Sequence, residues 1–166
     1  MAKKKHQIEK TLVEKILDQN KISYQQAEFA THEDSGGVAQ MDTSILNENE
    51  HLVYKTLVCY GNKTGIVVGV LPVTEHLNMK KLAKNSGNKK CELLPLKNLE
   101  KTTGYVHGAN TPIGIYFKHH FPIYLDEKMK AEEEIAVSSG KVGRSVFLKP
   151  SDLQKITHGI FCDLLE

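Results

Sequence analysis

Two runs rich in β-branched and apolar residues, 52–60 and 66–71, flank the pentapeptide Gly61-Asn62-Lys63-Thr64-Gly65. A short polar segment bounded by glycines between two such runs signals a hairpin, so antiparallel pairing of the runs is expected. The other segments must be compatible with that ribbon. Ile8, Leu12, Val13, Ile16 and Leu17 recur at helical spacing, which predicts an amphipathic helix of roughly three turns ended by Asn20 and Lys21. Residues 22–29 read as a first strand, 31–37 as a polar loop broken at Gly36-Gly37, and 38–46 as a short helix.

Beyond the hairpin, Asn78 is placed to cap a helix containing Met79, Leu82 and Ala83, which Gly87 stops. A short strand is expected at 91–94, then a helix at 96–102, started by Pro95 and closed by Gly104. Residues 107–114 read as a loop, and 123–125, 135–137 and 145–148 as strands. A last helix, 153–157, is capped by Ser151 or Asp152 and precedes a break at Gly159. Strands and short helices mix without a regular βαβ alternation. The expected architecture is therefore α+β, a single domain over residues 1–166 with a curved mixed sheet flanked by short helices.

Several function classes drop out. No apolar run approaches the ~20 residues that span a bilayer. The basic start, Met1 to His6, leads into an amphipathic stretch rather than an apolar one, so a cytoplasmic chain is expected. Cys59, Cys91 and Cys162 are odd in number and far apart, as expected of reduced thiols, and Cys59 sits where a thiol packs as a small hydrophobe. The eight histidines form no HExxH, HxH or cysteine–histidine spacing, and His119-His120 would face opposite ways on a strand. No Walker loop, GxGxxG or GxSxG is present, so neither metal nor cofactor is expected.

Net charge is only +2, but its distribution is uneven. Lysines 80, 81, 84, 89, 90, 97 and 101 face only Glu92 and Glu100 between residues 80 and 101. Such a cluster serves either as solvated helix faces or as a patch for phosphates, which lysines bind without reading sequence. Lys3, Lys4 and Lys5 read as a solvated tail.

Three segments can carry chemistry. Tyr54-Lys55-Thr56-Leu57-Val58 puts a lysine at the mouth of an apolar strand. It either protects a sheet edge or aims an ammonium at an anion or an ester oxygen. Residues 103–114, TGYVHGANTPIG, hold three glycines and a proline in twelve positions, a backbone path able to present several N–H groups. Residues 137–144, VSSGKVGR, form a glycine-broken crossing between strands and contain the only arginine, Arg144.

Taken in order, Tyr54-Lys55-Thr56-Leu57-Val58, the strand 66–73, Leu77 to Ala83, the loop 103–114 with its GxxxP at Gly108 to Pro112, and 137–143 resemble the YbaK/EbsC family. These are free-standing relatives of the editing domain inserted in bacterial prolyl-tRNA synthetase. The resemblance runs over nearly the whole chain. It implies an open, barrel-like mixed sheet and deacylation of Cys-tRNA(Pro) or Cys-tRNA(Cys). It further implies that Lys55 is the catalytic lysine and that Gly104, Tyr105, Gly108, Ala109, Asn110, Thr111 and Pro112 bind substrate. It adds Phe29, Ser138 and Gly140 to the substrate-binding set, Ser138 matching a family serine at the pocket's rim and Phe29 standing where relatives often carry tyrosine. Ala109 and Thr111 replace the family's usual glycine and serine. From the lysine cluster, Lys80, Lys81 and Lys84 are expected to meet the tRNA backbone, and the resemblance implies a weak complex with prolyl-tRNA synthetase. The alternatives are an Ala-tRNA(Pro) deacylase and a non-catalytic module that binds tRNA or a synthetase.

Overall fold

The computed structural model describes residues 8–29, 31–33, 39–41 and 49–166, so Lys3 to Lys5 and most of 38–46 lie outside the described residues. The chain runs α1 (Leu12–Gln19), β1 (Gln25–Glu28), β2 (Thr31–Glu33), β3 (Ala39–Met41), β4 (Tyr54–Gly61) and β5 (Gly65–Pro72). Next come α2 (Met79–Ser86), β6 (Cys91–Leu93), α3 (Leu96–Thr103), α4 (Pro112–His119) and β7 (Ile123–Asp126). A 3₁₀ turn (Glu127–Ala131), β8 (Ile135–Ser138), β9 (Arg144–Leu148), α5 (Pro150–Thr157) and β10 (Ile160–Cys162) complete it.

The expected hairpin forms, with β4 and β5 in register from Tyr54↔Pro72 to Gly61↔Gly65. Asn88 staples its turn. Its Oδ1 accepts from the Lys63 and Thr64 amides at 2.7 and 2.9 Å, while Asn62 Oδ1 accepts from those of Lys89 and Lys90. The ribbon is the centre of a five-stranded sheet, β10-β7-β5-β4-β6, in which β7 lies parallel to both β5 and β10 and the remaining pairs are antiparallel. A second, antiparallel sheet runs β1-β9-β8, and a parallel bridge between Val53 and Ala136 joins it to the start of β4.

Strand alternation divides the core in two. Val58, Val68 and Val70 face one cluster with Val13, Ile16 and Leu17 of α1, Ile113 and Ile115 of α4, and Leu153 of α5. Cys59, Val67 and Leu71 face the other, with Leu82 and Ala83 of α2 and the C-terminal Leu164 and Leu165. Both faces of the large sheet are therefore covered.

Several boundaries differ from expectation for local reasons. The first helix starts at Leu12 rather than Ile8 because Thr11 and Glu14 form a capping box: Thr11 Oγ1 accepts from the Glu14 amide and Glu14 Oε1 from the Thr11 amide. The first strand is confined to Gln25–Glu28. Ala39–Met41 is a strand paired with Thr31–Glu33 rather than part of a helix or a loop, a case of pairing overriding weak propensity. The loop at 107–114 ends early, because Thr111 caps and Pro112 opens a helix running to His119. His119-His120 therefore end a helix and do not lie on a strand. Pro150, not Ser151 or Asp152, opens the last helix. The strand β10 had no clear sequence signal.

Glu14 is fully buried and joins α1 to β9. Its carboxylate accepts from Arg144 Nη2 at 2.9 and 3.1 Å and from Gln26 Nε2, while Arg144 Nη1 donates to the Glu9 carbonyl. Removing one partner of such a pair strands the other charge, so Glu14→Leu is expected to cost about 3–5 kcal/mol, read as a fall in the chemical-denaturation midpoint.

Candidate active site

The candidate site sits where one edge of β4 lacks a strand partner among the described residues. Its partner β6 pairs with it only from Cys59 onward, with the Leu94 amide donating to the Val58 carbonyl at 2.9 Å, and the bridge to Ala136 falls at Val53. Between those points a cleft of about 630 Å³ opens against the strand. Residues 54–58 form its floor. Leu93, Leu94, Leu96 and Leu99 form an apolar wall, His107, Gly108 and Asn110 enter from the loop before α4, and Ser138 and Gly143 to Ser145 come from the second sheet. Four segments separated in sequence thus converge on one cavity of ligand-binding size.

Lys55 is half-buried in this cleft, and burial lowers the pKa of its ammonium while Glu75 partly opposes that. At the next strand position, the Thr56 hydroxyl is buried and meets no hydrogen-bond partner among the described residues. Sequence reasoning passed over Thr56; the available signal was a hydroxyl in an otherwise apolar strand.

The loop from 104 to 114 is held from beneath. Gly104 ends α3 in the left-handed region. The Thr103 hydroxyl meets Asn110 Oδ1 at 2.8 Å and accepts from the Tyr105 amide, Asn110 Nδ2 donates to the Val106 carbonyl, and the Ala109 amide donates to the same carbonyl. Of the residues expected to bind substrate, Gly108, Asn110 and Ser138 line the cleft with Lys55. Ala109, Thr111 and Pro112 are buried behind it, where Thr111 Oγ1 accepts from the Gly114 amide as a helix cap. Phe29 is also buried outside the lining, and its amide donates to the carbonyl of cleft-lining Gly143 at 2.7 Å.

Tyr105 joins the two glycine-rich segments. A Cβ on Gly114 would collide with the Tyr105 hydroxyl, and one on Gly140 would come within 3.2 Å of its Cε1. Lys118 Nζ lies 4.4 Å from the ring centroid on a buried phenol that makes no contribution to the cleft lining. Gly140 also has φ +106°, a conformation that L side chains rarely adopt, and its amide donates to Ser138 Oγ. Gly140→Ala is therefore expected to lose about 1–3 kcal/mol of stability and to loosen the Ser138 rim, seen as a lower thermal midpoint.

The protein's thiols stay outside this arrangement. Cys59, Cys91 and Cys162 are buried and none lines the cleft; burial pushes Cys59 up to about 12 and Cys162 up to about 11. Among the described residues, no three His, Cys, Asp or Glu side chains gather as a metal site. Lys80 and Lys84 are exposed on α2, whereas Lys81 Nζ is held by Asp163 at 2.7 Å and the Leu165 carbonyl at 2.6 Å. No helix among the described residues is long and apolar enough to cross a membrane.

Among the described residues, the cleft brings the Lys55 ammonium together with a glycine-containing loop and holds no thiol. The chain belongs to the aminoacyl-tRNA editing domain family, whose model matches residues 38–156. Its chemistry is accordingly the removal of an amino acid from tRNA. A relative from Enterococcus faecalis, named as a candidate Cys-tRNA(Pro)/Cys-tRNA(Cys) deacylase, EbsC, is 44% identical over 164 residues, covering 99% of this chain and 98% of its own length. Among solved structures, a hypothetical protein shares the fold at a TM-score of 0.78 and 17% identity, with 93% of this chain and 99% of that one covered. A candidate trans-editing enzyme for prolyl-tRNA synthetase does so at 0.70 and 19%, with 86% and 87% covered.

Proposed function

We propose that this protein acts in trans to clear cysteine wrongly attached to tRNA(Pro), with Lys55 as its catalytic residue. The observation that carries this reading is the half-buried Lys55 ammonium sharing one cleft with Gly108, Asn110 and Ser138 while every protein thiol lies elsewhere. The extended likeness to the Enterococcus relative supports the choice of cysteine.

An aminoacyl ester needs orientation and charge stabilisation more than a strong protein nucleophile. In the proposed step, the substrate's own thiolate attacks its carbonyl carbon. The ester C–O bond breaks, the amino acid leaves as a cyclic thioester, and the ribose oxygen takes the proton the thiol lost. Lys55 stabilises the negative charge that passes through the carbonyl and ribose oxygens. The Ala109 amide is committed to Val106, so the amides of Gly108 and Asn110 are the loop donors assigned to orient the substrate. Attack by water is the route left to an amino acid without a thiol.

A deacylation panel with Cys-, Ala- and Pro-tRNA(Pro) tests the assignment. Rapid release of cysteine alone supports it, preferential release of alanine would reassign the substrate, and no release from any would leave a binding module. The proposal extends to tRNA contact by the exposed Lys80 and Lys84, with Lys81 joining only if it leaves Asp163. Charge reversal at Lys80 and Lys84 is expected to weaken tRNA binding and reduce the slope of log affinity against log salt by about two. The family resemblance adds a weak complex with prolyl-tRNA synthetase, and the cytoplasm is where aminoacyl-tRNA would be met.

A further inference from the structure

A second groove of about 540 Å³ runs beside the cleft, and Leu93 and Leu94 line both. Its other walls are Tyr60 and Ile66 from the hairpin, Glu92 from β6, and Pro95, Asn98, Lys101 and Thr102 around α3. Two of its lining residues expose apolar surface, Tyr60 at 52% and Leu93 at 53%. Lys101 is the lining cation and Glu92 the lining carboxylate. Lys89, Lys90, Lys97 and Lys101 outnumber Glu92 and Glu100 in that stretch, and among the described residues neither Lys97 nor Lys101 has an acidic partner within 4 Å.

We propose that this groove holds the unpaired nucleotides immediately before the terminal adenosine of tRNA, one base stacked on Tyr60 and a phosphate held by Lys101. The inference rests on the tRNA-editing reading and adds the path by which the 3′ strand arrives. An exposed phenol in a largely apolar trough with Lys101 on its wall has the two components of single-strand recognition, a sequence-tolerant stacking face and a cation for a phosphate. The half-buried Asn98 amide supplies a donor and an acceptor to a base edge in the same trough. Continuity supplies the direction. A strand whose 3′-terminal ester lies against Lys55 leaves over Leu93 and Leu94 into this groove.

The test compares two probes, a tRNA(Pro) acceptor minihelix with its single-stranded 3′ end and the same duplex cut blunt, by fluorescence anisotropy. The 3′ strand is expected to tighten wild-type binding, and Tyr60→Ala to remove ~tenfold of that gain, within the range measured for base–aromatic stacks. Tyr60→Phe should keep the gain, since it keeps the ring. Lys101→Glu should weaken the long probe and lower its salt slope. Melting temperatures of the variants are checked against wild type; both residues are exposed, so they should match. A wild-type protein indifferent to the 3′ strand, or a gain that persists in Tyr60→Ala, would overturn the inference. So would loss of prolyl-tRNA synthetase binding in Tyr60→Ala with minihelix affinity unchanged, which would make the groove a protein-docking surface. A wild type that gains affinity from the 3′ strand yet cleaves no aminoacyl ester would refute the deacylase reading and leave the groove standing.

Discussion

Lys55→Ala is expected to slow deacylation of Cys-tRNA(Pro) by ~100-fold or more, the scale seen when a preorganised stabiliser of a developing charge is removed. The fold should survive, because Lys55 lies on the stretch of β4 that has a partner on one side only and its ammonium takes part in no ion pair among the described residues. The direction of its titration sharpens the expectation. Burial depresses the Lys55 pKa below its ordinary 10.5, so the site disfavours the charged form it uses. Relative to the unfolded chain, that cost is fully present below the folded pKa and disappears as pH rises towards 10.5. Lys55→Ala should therefore be as stable as wild type or more so at neutral pH, with the difference closing in alkaline solution. Wild-type turnover in a folded Lys55→Ala protein would sink the catalytic assignment. Lys55→Arg should recover only part of the rate, since a planar guanidinium does not occupy the space of a compact ammonium.

The second large effect lies in the substrate. Replacing cysteine by serine on tRNA(Pro) should slow release by ~100-fold or more, because the thiolate is the attacking species and a hydroxyl is scarcely ionised near neutral pH. A filter based on fit alone would scarcely separate the two, since they differ by one atom. The protein's own thiols should be dispensable. A Cys59, Cys91 and Cys162→Ala protein is expected to retain turnover, since none of the three lines the cleft. Equal rates on Ser- and Cys-tRNA(Pro) would rule out thiol-assisted release and favour a bound water. Loss of activity in the folded cysteine-free protein would place the nucleophile on the enzyme.

These expectations divide between what can be read along the chain and what cannot. The hairpin was legible because glycine-bounded turns and period-two apolarity act over a few residues, and so was α2, whose cap Asn78 and stop Gly87 are local signals. The sheared-off loop at Gly114 was not, because a helix that begins with Thr111-Pro112 inside a glycine-rich run is decided by its apolar face, Ile113 and Ile115, finding the core. The same holds for β10, whose three residues become a strand only by lying parallel to β7.

The site shows the same division. Sequence alone determined the chemical types available: a lysine on an apolar strand, a glycine loop fixed by proline, thiols outside any motif, and their order along the chain. Tertiary structure decided which of them meet. It brought Gly108, Asn110 and Ser138 to Lys55, turned Tyr105, Ala109, Thr111 and Pro112 into the packing behind the loop, and bound Arg144 to Glu14 across some 130 positions of sequence. Residue types and turn chemistry are short-range properties and can be read from neighbours. Membership of a cleft depends on where β6 stops pairing and the second sheet begins, and that is settled only when long-range packing closes the core.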